Sequence, residues 1–145
     1  MAFPPVPLSA GGAFYMYDDA QLCERALEGK SWDEVDPRLI GSRSDALAFL
    51  DRERFVAWLP MYLRLLGHLD PMYSFVPEVL VGKLTRPDPE TSSKRQQREF
   101  EELVGRLSAA QRRAVGHALQ LFIAEAPGYS ETARCAFDRY WAAFV

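Results

Sequence analysis

Phe55-Val56-Ala57-Trp58-Leu59-Pro60-Met61-Tyr62-Leu63-Arg64-Leu65-Leu66-Gly67-His68-Leu69 is the most apolar stretch of this 145-residue chain, and its reading decides the fold class. A bilayer span needs about 20 uninterrupted apolar residues, and here Pro60, Arg64, Gly67 and His68 break the run. Wound as a helix, Met61 to Leu69 carries apolar residues on nearly every side, the pattern of an element buried between other helices. Pro60 would remove a hydrogen bond and clash with the preceding turn inside a helix, yet it costs little as a first helical residue. The expectation is therefore a break or kink at Leu59-Pro60, with Asp51 capping the shorter helix that carries Phe55, Val56 and Leu59.

Reading toward the N-terminus, Asp45 to Leu50 forms a brief helix after the Gly41-Ser42 break. Ser31-Trp32-Asp33-Glu34 fits a capping box, in which the Ser31 hydroxyl and the Glu34 carboxylate satisfy each other's backbone amides; a short turn then ends before Pro37. Ala20, Cys23, Ala26 and Leu27 recur at helical spacing over Asp18 to Glu28, with acids in the first turn where the helix dipole favours them and Gly29 as terminator. Residues 1–13, rich in Pro, Gly and Ala, read as an extended arm ahead of a single domain over 14–145.

Toward the C-terminus, Pro71 closes the central segment, and Phe75 to Leu84 reads as a helix containing Val76, Val79 and Leu80. Strand is the alternative there, because Val79-Leu80-Val81 is β-prone. Residues 85–95 hold no apolar side chain but two prolines and read as a flexible, solvated loop, the best site for disorder or a nick. Gln96 to Leu107 forms a helix with Phe100, Leu103, Val104 and Leu107 on one side. Ser108 and Gln111 form a second capping box ahead of a stripe of Val115, Ala118, Leu119, Phe122 and Ala126, ended by Pro127-Gly128. Ser130 to about Phe144 makes a last docking helix with Ala133, Phe137, Tyr140 and Phe144 in line and Trp141 on its flank. No segment repeats at a fixed period. The fold class is all-α, a compact irregular bundle of about six to eight helices.

Composition narrows the function. With 48% hydrophobic residues the chain can bury a core without metals or disulfides, and its net charge of −3 offers no field to attract a phosphate backbone. Nucleic acid and membrane are excluded as expected partners. Charge is uneven: residues 1–60 hold 10 acids and 6 bases, whereas residues 61–145 hold 10 acids and 11 bases. An acidic N-terminal half suits a basic partner. Cys23 and Cys135 lack the close spacing of a zinc site or redox pair, and no basic segment followed by an apolar run marks secretion, so the expected compartment is the cytoplasm.

Neither His68 nor His117 has a histidine or carboxylate at i+3 or i+4, the spacing that projects two metal ligands from one helical face. His117 falls opposite Val115, Leu119 and Phe122 and reads as solvated. Cys23 lies in an apolar stripe as a small hydrophobe, and Cys135 falls beside Asp138 and Arg139, without a recognisable base. Carboxylates cluster at Asp33, Glu34 and Asp36 and at Glu99, Glu101 and Glu102; most read as solvated, with Glu34 as a cap. Five bases, Lys83, Arg86, Lys94, Arg95 and Arg98, gather without the glycines of a phosphate-binding loop. No Gly-x-Ser-x-Gly elbow, Gly-rich nucleotide loop or His-Glu-x-x-His occurs, and no cofactor or metal is expected. One cluster has a functional reading: Trp32, Asp33, Glu34 and Asp36 combine an aromatic with acids, a surface for a basic protein partner.

Ala46-Leu47-Ala48-Phe49-Leu50 followed by Trp58-Leu59-Pro60-Met61-Tyr62-Leu63 resembles the core motifs of a family of short bacterial helical proteins with no assigned activity. The resemblance extends to Trp32-x-x-Val35-Asp36, to Leu107-Ser108-x-x-Gln111-x-x-Ala114-Val115 and to Tyr140-Trp141, and so covers most of the chain. Trp58 stands where that family more often carries tyrosine. The resemblance implies a fold and transfers no reaction.

The expected function is a non-catalytic protein-binding module, most concretely an immunity-type protein that binds and neutralises a bacterial toxin. The alternative is a small-molecule-binding or enzymatic bundle with an inter-helix pocket using Tyr62, His68 or Cys135. A homodimeric structural protein is a third reading.

Overall fold

The computed structural model describes residues 2–4, 29–36, 52–67, 76–126, 128 and 130–145. Among these the protein is all-α, with five helices, one 3-10 turn and no strand. The helices are α1 (Arg52–Leu66), α2 (Val76–Leu84), α3 (Lys94–Gly105), α4 (Ala109–Glu125) and α5 (Ser130–Arg139), and the 3-10 turn is Trp141–Phe144. The expected helices at 18–28 and 45–50, the Asp51 cap, the Pro71 stop and the Pro127 terminator lie outside the described residues. Gly29 is described, with φ 75°, a left-handed backbone that a glycine adopts without steric strain. The chain divides into two compact units, residues 3–79 and residues 80–145.

In the first unit, α1 removes one of the two outcomes expected at Leu59-Pro60, the break: one helix runs from Arg52 to Leu66 with Pro60 inside it. A proline there forfeits its own amide hydrogen bond and crowds the preceding turn, at a cost of about 3 kcal/mol. Burial outweighs that cost. Phe55, Trp58, Leu59, Met61, Tyr62, Leu65 and Leu66 are each 5% exposed or less, and a fully buried side chain of this size contributes about 1.5–3 kcal/mol. No residue from 54 to 66 is exposed, which matches an apolar surface on nearly every side.

The α2 helix resolves the strand alternative. Its buried residues, Val76, Pro77, Leu80, Val81 and Leu84, repeat every three to four positions rather than every second one. Pro77 falls in the first turn, where its missing amide has no helical partner to lose.

In the second unit, α3 starts two residues before the expected Gln96, because Ser93 is its N-cap: the Gln96 amide donates to Ser93 Oγ at 3.1 Å, and the Ser93 amide to Gln96 Oε1 at 3.0 Å. The box expected at Ser108 is present, with Gln111 N to Ser108 Oγ at 3.2 Å and Ser108 N to Gln111 Oε1 at 2.9 Å. Arg112 joins the two helices by donating from Nε and Nη2 to Val104 O at 3.2 and 2.9 Å, a cation on the carbonyl end of α3. The segment between α2 and α3 carries its own bonds: Asp88 O and Oδ1 accept from the amides of Ser92 and Glu90, and Gln97 Nε2 donates to Pro89 O and Ser92 O.

The expected helix from Ser130 to Phe144 is corrected at Tyr140. There φ −148° and ψ −53° end α5 and start the 3-10 turn. Trp141 supplies the reason: fully buried, it donates from Nε1 to Leu84 O at 2.7 Å, a carbonyl that the end of α2 leaves without a helical partner. The expected stripe changes accordingly. Ala133, Ala136 and Trp141 are buried, while Phe137, Tyr140 and Phe144 are half-buried. Tyr140 meets Phe100 edge-on at 5.3 Å and Trp141 at 4.8 Å between ring centroids. This turn and α5 both pack on α4. Gly116 permits the approach, for a Cβ there would lie 2.7 Å from Val145 Cγ1 and 3.2 Å from Trp141 O.

Candidate functional site

Trp32, Asp33, Glu34 and Asp36 belong to one short turn in the first unit. Two local bonds close it: the Glu34 amide donates to Ser31 O at 3.0 Å, and the Ser31 amide to Glu34 Oε2 at 3.1 Å. Half of the expected capping box is thus in place. The other half differs, because the Ser31 hydroxyl donates to Asp33 Oδ1. The Glu34 amide goes to the Ser31 carbonyl instead of the hydroxyl oxygen, and the hydroxyl proton goes to a carboxylate, a strong charged acceptor.

The turn is held by Arg64 of α1, which in the sequence is only an interruption of the apolar run. From a single nitrogen, Nη1, the guanidinium donates to Trp32 O at 3.3 Å, Asp33 O at 3.1 Å and Val35 O at 3.3 Å. Two N–H bonds serve three carbonyls, so at least one is shared. Val35 is 1% exposed and fixes the turn from the apolar side. The side chains of Asp33, Glu34 and Asp36 are exposed. Trp32 is half-buried, and its indole N–H donates to Phe3 O at 3.3 Å. Its ring is therefore partly committed to the N-terminal residues, and the open part of the turn is acidic more than aromatic.

Two carboxylates of the second cluster pair with basic residues that the sequence places near them. Arg86 pairs with Glu101 and Arg95 with Glu99, each at 2.9 Å. Arg86 also lies 6.0 Å from the centroid of the Tyr140 ring, and its carbonyl accepts from Arg139 Nη1 at 3.2 Å. Burial pushes the Lys83 ammonium below its ordinary pKa, and the charge of Glu99 partly opposes that shift. The Arg86 contacts join the segment after α2 to α3 and to the end of α5 and make it a structural joint.

Of the remaining candidates, Tyr62 is fully buried in α1 and its ring lies 6.2 Å from that of Trp58. Cys135 is a free, half-buried thiol on α5, and His117 is exposed on α4. His68 and Cys23 lie outside the described residues. Among the described residues no three His, Cys, Asp or Glu side chains are grouped to hold a metal ion, and no helix is long and apolar enough to cross a membrane. No protein family, curated protein sequence or solved structure matches the chain.

Proposed function

We propose that the chain is a non-catalytic protein-binding module, most concretely an immunity-type protein that binds and neutralises a bacterial toxin, with Trp32, Asp33, Glu34 and Asp36 at the contact surface. The supporting observation is the turn itself: exposed carboxylates on a backbone clamped through three carbonyls by Arg64. A preorganised surface loses little conformational entropy on binding. Charge favours a basic partner, since residues 3–79 carry 12 acids against 7 bases, a net −5. Such charge speeds encounter and rejects acidic partners more than it adds raw affinity. The contact would lie within an interface on the order of 1,600 Å². The wider reading is a cytoplasmic bundle of six to eight helices, related to the short bacterial proteins that its motifs resemble.

The test is co-expression with the product of the neighbouring gene. The account expects that product to arrest growth alone and growth to recover when this chain is present. Recovery should be lost on Asp33→Arg with Asp36→Arg, a pair that leaves the Glu34 cap in place. A neighbouring product that neither binds nor is neutralised removes the proposal.

A further inference from the structure

We draw no further inference here: the strongest candidate, the outer face of α4 where Leu121 stands 62% exposed beside His117 and Ala124, is an unpartnered apolar face, and nothing in the structure shows what covers it.

Discussion

Arg64 Nη1 donates to Asp33 O at 3.1 Å across 31 residues of chain, so a cation on α1 fixes the backbone beneath an exposed carboxylate. Hydrogen bonds to a charged donor contribute about 1.5–3 kcal/mol, discounted here because three acceptors share two N–H bonds and Arg64 is only half-buried. Arg64→Ala should cost about 1–3 kcal/mol in urea unfolding, and Arg64→Lys, which keeps the charge but shortens the reach, should recover part of that. An alanine variant as stable as the parent would mean that the turn holds itself.

The Trp141 indole offers a cleaner test of one bond. Trp141→Phe keeps most of the buried ring but removes the donor to Leu84 O. A buried carbonyl left without a donor costs about 1–3 kcal/mol, so the variant should unfold at lower denaturant with an unchanged slope. Equal midpoints would show that Leu84 O finds another donor.

At Gly116 two effects oppose each other. Alanine improves an interior helix position by about 1 kcal/mol relative to glycine. Against this, the new Cβ would sit 3.2 Å from Trp141 O, and that carbonyl has little freedom because its side chain is buried and anchored. Gly116→Ala should therefore be net destabilising by about 1 kcal/mol, and Gly116→Val by more than about 2 kcal/mol, read from thermal unfolding. A stabilised alanine variant would show that the terminal turn yields.

Lys83 gives a pH signature. Its ammonium is harder to form in the folded chain than in the unfolded one, chiefly through burial, so its charge weakens the fold at neutral pH. That cost applies in full below the lowered folded pKa and disappears as pH rises through the window up to 10.5. Lys83→Met should raise the melting temperature at neutral pH, with the gain shrinking toward pH 10.5. A gain that holds constant or widens across that window contradicts the assignment.

Local signals were legible in the sequence, and long-range ones were not. Ser108 and Gln111 stand directly before a strongly periodic run, so their capping box could be read; Ser93 and Gln96 form the same box but open onto Lys94 and Arg95, which look like loop. A helix that continues through Pro60 is not legible locally, because the proline's cost is visible in sequence while the burial that outweighs it is a tertiary quantity. The helix end at Tyr140 depends on the bond from Trp141 to a carbonyl 57 residues before it, and the 133, 137, 140, 144 spacing runs straight through that end. At the candidate site, composition exposed the carboxylates but not their support. The one hint was Arg64, a lone cation in an apolar run, whose acceptors are backbone atoms of a distant turn.

The most direct measurement is a calorimetric titration of the purified chain, and of its Asp33→Arg/Asp36→Arg variant, with the neighbouring gene's product. The account predicts saturable 1:1 binding by the parent, weakened by added salt, and at least about 100-fold weaker binding by a variant with the same helical circular dichroism. No binding by either protein, or equal binding by both, would contradict the assignment of the acidic turn as the contact surface.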